Sequence, residues 1–188
     1  MRKSALVLAL TCLPLAALAN EAQLLESSRQ TALKLQQQLG GELQKQLAAG
    51  GPESAISVCR DKAPAIASEL SRSTGWRVTR VSLKTRNTLL GTPDEWEQGA
   101  LRILEKRLAA GAKPETLEFG QVVEEPTGKV YRYMRGLPVL PLCTTCHGAP
   151  EAIPEAVKAR LATEYPHDKA TGYAPGMLRG GISIKRPL

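Results

Sequence analysis

The chain has 188 residues, of which 23% are charged and only 4% aromatic, and its formal net charge is +7 at pH 7. This length supports one ordinary domain with a single core. The lysines and arginines are scattered and the aromatics are few, so the sequence lacks the interleaved basic and aromatic surface that binds nucleic acids. We therefore expect no nucleic-acid partner, and a basic face suits at most an acidic protein.

The N-terminus has the pattern of a secretory signal peptide. Two basic residues precede an uncharged apolar run at residues 4–16, and Ala-Leu-Ala at 17–19 has the small-x-small form of a signal-peptidase site. The run is shorter than the ~20 apolar residues that a membrane-spanning helix needs.

We predict that residues 1–19 are cleaved as a signal peptide and that Cys12 is lost with them. Residues 20–188 would then form a single exported domain with no membrane span, located in the periplasm. Removing Arg2 and Lys3 lowers the formal net charge from +7 to +5.

The first elements of this domain read as helices. Leucine and alanine recur at near-helical spacing from Glu21 to Ala49, and Gly40-Gly41 interrupts the pattern, which predicts one long or two short helices. Between Pro52 and Leu70, the spacing places Cys59 on the apolar stripe of another helix, facing the core. Pro64 lacks a backbone N–H, so we expect it to kink this helix just beyond Cys59.

Beyond residue 70 the sequence alternates between strand and helix patterns. We predict a strand at 76–84, a helix at 94–110, a hairpin with strands at 117–125 and 129–140, a helix at 151–164 and a last short strand at 180–188. Helices followed by an antiparallel sheet make an α+β domain.

The run Cys143-Thr144-Thr145-Cys146-His147 has the CxxCH spacing that attaches c-type haem. Two thiols one turn apart can each add to a vinyl group of the same porphyrin, and the next imidazole then reaches the iron. Three cysteines remain after the predicted cleavage, an odd number for an oxidising compartment. We predict one covalent haem c, attached through Cys143 and Cys146, with His147 as the proximal axial ligand.

Two other uses of the paired cysteines compete with haem attachment. A thiol oxidoreductase places CxxC where a strand meets a helix, whereas Pro138 and Pro141 break such a junction here. A structural zinc site needs four ligands in paired spacing, whereas Cys59 and His167 are far apart in the sequence. These spacings favour haem attachment.

The second axial ligand decides between an electron carrier, a gas sensor and an enzyme. His167 and Met177 lie in Gly/Pro-rich loop sequence, and the alternation around Met134 is typical of an ordinary strand residue. Cys59 has no disulfide partner once the CxxCH pair is consumed, and iron binding would favour its thiolate. From the residues alone, ligation by Cys59, by His167 or by a methionine stays open, as does an empty position.

Four stretches of the sequence together resemble a bacterial family of exported single-haem domains. They are AISVCRDKAPAIASEL (55–70), VSLKTRN (81–87), PLCTTCHG (141–148) and YPHDKATGYAPGMLRGGISI (165–184). They occur in the expected order and extend over nearly the whole mature chain. Members of this family are small c-type cytochromes or the sensing part of histidine kinases.

The resemblance implies a PAS-like fold and haem iron held by a histidine and a cysteine. The matching positions here are His147 and, in the upstream helix, Cys59. One departure is Met177, which stands where an acidic residue is expected and so stays a competing ligand.

Two functions are compatible with such a site. The first is redox or gas sensing, which we expect to act through a separate signalling partner. The second is low-potential electron transfer, with the basic surface docking on an acidic redox partner. We expect no enzymatic activity, because both axial positions are filled. Arg179 is a candidate contact for a haem propionate, because arginine suits bidentate carboxylate recognition.

Overall fold

The computed structural model describes residues 13–188, with side chains described from Asn20 onward. The predicted signal peptide, residues 1–19, therefore lies mainly outside the described residues, as does Cys12. Within residues 13–188, no helix is long and apolar enough to span a membrane.

The N-terminal segment forms one long helix, α1 (Leu13–Ser57), which passes through Gly40-Gly41 without interruption. Of the two alternatives predicted for this segment, one long or two short helices, the long helix is confirmed at Gly40-Gly41. The helix breaks instead at Gly51, whose φ of 71° lies in the left-handed region that favours glycine. An interior glycine costs a helix only about 1 kcal/mol relative to alanine, which packing of the neighbouring leucines can offset.

The predicted helix around Cys59 contains a change of helix type. Residues Val58–Lys62 form one turn of π-helix, and α2 (Ala63–Thr74) follows directly. The backbone N–H of Ala63 donates to the carbonyl of Val58, five residues earlier. Because Pro64 cannot donate a backbone hydrogen bond, the wider turn falls on its N-terminal side and includes Cys59.

Four strands form one antiparallel sheet in the order β1-β4-β3-β2. They are β1 (Arg77–Val81), β2 (Glu118–Glu125), β3 (Gly128–Pro138) and β4 (Leu178–Pro187). The predicted hairpin is confirmed as β2 and β3. The last strand lies in the centre of the sheet, between β1 and β3. The helices and this sheet confirm the α+β class.

The remaining helices are short except for one. They are α3 (Thr88–Gly91), α4 (Glu95–Ala109), α5 (Thr144–His147) and α6 (Glu155–Glu164). Helix α4 begins as predicted, because Asp94 caps it in a capping box with Glu97. Helix α6 begins at Glu155 rather than at residue 151, because Pro154 is its N-terminal cap.

The sheet has an apolar core on each face. Helices α1 and α2 cover one face, where Leu35, Leu70 and Tyr133 are buried. Helix α4 covers the other face, where Leu104 and Met134 are buried. The sheet is thus enclosed on both sides.

Strand β1 contributes to both cores. Val78 is buried on the α1 and α2 side, and Val81 is buried on the α4 side. Residues three apart in a strand point to opposite faces. This explains why the apolar residues Trp76 and Val78 alternate out of phase with Val81 and Leu83 in the sequence. Strand β1 lies beside the π-helical turn and forms part of the cavity described next.

Candidate functional site

A cavity of about 340 Å³ lies between the π-helical turn, α2, β1, β4 and α5. This volume is within the range of small-molecule and cofactor sites, roughly 300–1,000 Å³. Cys59, His147 and Arg179 all line it, although they are far apart in the sequence. The fold therefore brings together three of the residues selected from sequence patterns.

The imidazole of His147 is oriented by the backbone. Its Nδ1 lies 2.7 Å from the carbonyl oxygen of Ala170. A carbonyl can only accept, so Nδ1 carries the proton and Nε2 presents its lone pair. Metal-binding histidines typically hold their second ring nitrogen in this way. His147 therefore has Nε2 as its unprotonated ring nitrogen.

The environment also keeps His147 uncharged. Burial, together with the positive charges of Arg179 and Arg86, lowers the pKa of His147 to about 2, although the carbonyl of Ala170 favours the protonated form. The imidazole is therefore neutral at physiological pH. Neutral imidazole is the form that binds metals.

Arg86 joins the CxxCH turn to the loop that carries Ala170. Its guanidinium pairs with Asp168 at 2.9 Å and donates to the carbonyl oxygens of Cys146 and Ala170. Asp168 in turn accepts from the backbone N–H of Ala170 at 2.7 Å. The carbonyl that orients His147 is therefore held by a buried ion pair.

Sequence reasoning did not select Arg86 or Asp168. Both lie within the stretches that carry the family resemblance, VSLKTRN and YPHDKATGYAPGMLRGGISI. That coincidence was the one signal that could have identified them, because the pair is separated by 82 residues.

Cys59 lies in the second position of the π-helical turn and is partly buried. Its neighbours on the apolar stripe, Ile56 and Ala63, are buried, as the spacing predicted. Cys59 itself faces the cavity instead of the core.

The cysteines of the CxxCH turn lie beside the cavity and do not line it. Cys143 packs against the cluster that contains Ala170 and Tyr173, and Cys146 packs against the cluster that contains Ile56. Burial raises the pKa of the Cys146 thiol. No disulfide joins Cys59, Cys143 and Cys146 in the described chain.

The other candidates for the second axial ligand lie elsewhere. His167 is exposed and is not part of the cavity wall. Met177 is 45% exposed, and its sulfur accepts from the backbone N–H of Ala174 at 3.2 Å. Met134 is buried in the core beneath α4, as expected for an ordinary strand residue. Of the four candidates, Cys59 alone lines the cavity with His147.

Arg179 lies directly against His147. Its Nε is 3.3 Å from Nδ1 and 3.5 Å from Nε2 of the imidazole. Its Nη1 donates to the hydroxyl of Ser82 at 2.8 Å and to the carbonyl of Lys84 at 3.2 Å. Arg179 is therefore placed to contact an anionic group bound beside His147. The described residues contain no cluster of three or more His, Cys, Asp or Glu side chains that could hold a metal ion.

Comparisons with known proteins give one family and one fold. The cyanobacterial heme-protein Tll0287, known from a crystal structure, aligns with a TM-score of 0.66 and 24% identity over 88% of this chain and 95% of that chain. At this identity the likeness shows the fold alone. No curated protein matches the chain. The model of the family described as Tll0287-like matches residues 15–187, so the chain belongs to the Tll0287-like family.

Proposed function

We propose that the chain is an exported monohaem c-type protein. In this proposal Cys143 and Cys146 attach the haem, and His147 and Cys59 are its axial ligands. The observation that carries the proposal is that Cys59 and His147 line one cavity. A haem is also supported by the family match over residues 15–187 and by the description of the structural relative as a heme-protein. The PAS-like description and the periplasmic location belong to the same proposal.

The residues around the cavity fit a porphyrin. Ala67, Val78 and Leu137 supply apolar wall for the macrocycle. His147 is neutral and presents Nε2, and the Cys59 thiol faces the same space. A haem bound here would supply one-electron redox chemistry and, if one axial ligand leaves, a site for a small gas.

We favour sensing over simple electron transfer because of where Cys59 lies. The Cys59 thiolate would stabilise the ferric state of a haem bound here, so Cys59 is the residue whose sulfur would be held less strongly in the ferrous state and would be able to take up a proton and move away. Cys59 is part of a π-helical turn, a helix distortion that is frequent at functional sites. If that turn relaxes towards α-helical hydrogen bonding, α1 changes its rotation relative to α2.

The π-helical turn is also linked to the haem-attachment side of the molecule. Arg60, next to Cys59, pairs with Glu164 at the end of α6. Residues of α6 pack against Cys146 of the CxxCH turn. A displacement of Cys59 would therefore shift α1 and α6, and a signalling partner bound to either helix would respond to the shift.

The alternative is a low-potential electron-transfer cytochrome. The formal net charge of +5 that remains after the predicted cleavage, which removes Arg2 and Lys3, favours docking on an acidic redox partner. In either use protein side chains fill both axial positions, so we propose no enzymatic turnover.

Optical spectra of the purified exported protein test the proposal. Ferric, ferrous and ferrous carbon monoxide spectra are compared for wild type and Cys59→Ala, with His167→Ala and Met177→Ala as controls. We expect Cys59→Ala alone to lose the thiolate features and to bind carbon monoxide readily.

Three outcomes separate the alternatives. Spectra unchanged in Cys59→Ala but altered in Met177→Ala would transfer the axial role to Met177. Rapid carbon monoxide binding by the wild type would favour gas sensing. A low potential without gas binding leaves redox sensing and electron transfer, which a search for the partner separates.

A further inference from the structure

The charged side chains that line the cavity share one sign. Arg80, Arg86 and Arg179 line it, and within the described chain its wall contains neither aspartate nor glutamate. Every lysine, arginine, aspartate or glutamate side chain in the described cavity wall is therefore a cation.

Only one of these arginines is neutralised by an ion pair. Arg86 pairs with Asp168, and both side chains are largely buried, with exposed fractions of 8% and 12%. Within residues 13–188, neither Arg80 nor Arg179 has a carboxylate partner; Arg179 donates to the hydroxyl of Ser82 and to the carbonyl of Lys84 instead. Two positive charges in the cavity thus remain without a counter-charge.

Such an arrangement is costly without an anionic ligand. A partly buried charge without a carboxylate in direct contact is unfavourable, and burial together with the positive charges of Arg86 and Arg80 lowers the pKa of Arg179, although Tyr173 and Asp168 act in the opposite direction. A ligand with two negative charges would remove this imbalance. Arginine is also the side chain best suited to bidentate binding of a carboxylate.

The two unpaired arginines come from neighbouring strands at one end of the sheet. Arg80 belongs to β1 and Arg179 to β4, and these strands pair with each other, with Arg80 opposite Ile182. Both side chains are partly exposed. They therefore lie between the apolar cavity and solvent, where the carboxylate edge of an amphipathic ligand is most easily accommodated.

We propose that Arg80 and Arg179 form a dianion site that binds the two propionate carboxylates of the haem. This inference rests on the proposed haem function and adds Arg80 and the pairing of the two arginines. Arg86 has a different role, because Asp168 already neutralises it and its hydrogen bonds hold the CxxCH turn.

The test uses the exported haem-loaded protein as wild type, Arg80→Gln, Arg179→Gln and Arg80→Lys. Arg77→Gln is the matched control, since Arg77 is an exposed arginine of the same strand, three residues away, and is not in the cavity wall. Mass spectrometry reports covalent haem, resonance Raman spectroscopy reports the propionate bending bands, and redox titration reports the midpoint potential.

We expect covalent haem in every variant and shifted propionate bands in both glutamine variants, with Arg77→Gln equal to wild type. The midpoint potential should fall in both glutamine variants, because a positive charge near the iron is lost. Arg80→Lys should keep the potential near that of wild type while its propionate bands shift, because lysine keeps the charge but not the bidentate geometry.

Unchanged propionate bands in Arg80→Gln and Arg179→Gln would overturn the inference while leaving the haem proposal intact. A wild-type protein without covalent haem would instead contradict the proposed function. If a glutamine variant does not fold, unchanged bands in Arg80→Lys would overturn the inference in the same way.

Discussion

His147 and Cys59 line the same cavity, but the hydrogen bonds and ion pairs that hold them differ. The imidazole of His147 is held by the carbonyl of Ala170, which is itself fixed by the buried pair of Arg86 and Asp168. Cys59 lies on a π-helical turn that ends two residues before Pro64, and Arg60 of that turn, whose side chain is 38% exposed, pairs with exposed Asp61 and with Glu164 of α6.

We infer from this difference that the two proposed ligands have different roles. A buried, hydrogen-bonded ion pair resists movement because breaking it leaves a charge uncompensated. A π-helical turn can change its hydrogen bonds from the i→i+5 pattern to the regular α-helical i→i+4 pattern with a small movement of the backbone. We infer that His147 fixes the position of the haem and that Cys59 is the ligand that can leave.

The largest effect we predict is loss of covalent haem when both attachment thiols are removed. The double variant Cys143→Ala with Cys146→Ala should contain no haem that survives denaturation, because no thioether can form. Denaturing electrophoresis with a haem stain measures this. Cys59→Ala is the control and should keep covalent haem. Covalent haem in the double variant would contradict the attachment assignment.

The next largest effect concerns the buried ion pair of Arg86 and Asp168, which holds the carbonyl that orients His147. Arg86→Gln leaves Asp168 buried without its partner, which should lower the free energy of unfolding by about 3 kcal/mol. Urea unfolding monitored by circular dichroism measures the loss. Combining Arg86→Gln with Asp168→Asn should restore part of it, because the uncompensated charge is removed.

The pair of Arg160 and Glu164 on α6 gives a comparison, because the Arg160 side chain is 43% exposed and Glu164 keeps Arg60 as a second partner when Arg160 is changed. Arg160→Gln should cost less than about 1 kcal/mol, as surface pairs usually do. An equal loss in Arg86→Gln and Arg160→Gln would show that the Arg86 pair is no stronger than a surface contact.

A smaller effect should follow from a change beside the π-helical turn that carries Cys59. Pro64→Ala restores a backbone donor and favours an α-helical turn at residues 58–62, which moves Cys59 relative to His147. The thiolate features of the ferric optical spectrum should weaken without being lost. Pro52→Ala is the control, because Pro52 lies in α1 six residues before the π-helical turn and is not in the cavity wall, and it should leave the spectrum unchanged. Identical spectra for Pro64→Ala and wild type would remove the π-helical turn from the mechanism.

The smallest predicted effect lies away from the cavity, where Glu118 of β2 joins α1 to the sheet. Burial disfavours its charge, but hydrogen bonds from Arg29 and Tyr133 prevail and lower the pKa of Glu118 below its usual value of 4.5. A carboxyl with a lowered pKa stabilises the folded state above the unfolded pKa, and this contribution is lost as pH falls below about 4.5.

The free energy of unfolding should therefore fall less between pH 7 and pH 3 in Glu118→Gln than in the wild type, by about 1 kcal/mol. This difference is small because solvent screens these partly exposed groups. Thermal unfolding between pH 3 and pH 7 measures it. The haem spectrum should not change. A spectral change in Glu118→Gln would show that α1 and the cavity are coupled through the sheet.

Local patterns predicted most of the fold. The hairpin and α4 follow from alternation, turn residues and the capping box at Asp94. The pattern left one long or two short helices open at Gly40-Gly41, and the structure has the long helix, because a helix tolerates a small local cost when neighbouring residues pack. The π-helical turn was not predicted, since a proline in a helix is compatible with several hydrogen-bonding registers.

The site was predictable only in part. CxxCH is a local motif, whereas the residues alone left Cys59 as one of several candidates and the family resemblance implied it. Arg80, Arg86 and Asp168 have no local signature, because their roles depend on contacts between distant segments.

The ferric electron paramagnetic resonance spectrum of the exported protein most directly tests whether Cys59 completes the site that His147 begins. We predict a low-spin signal typical of histidine and thiolate ligation in the wild type, which Cys59→Ala loses. The same signal in wild type and Cys59→Ala would contradict the central claim.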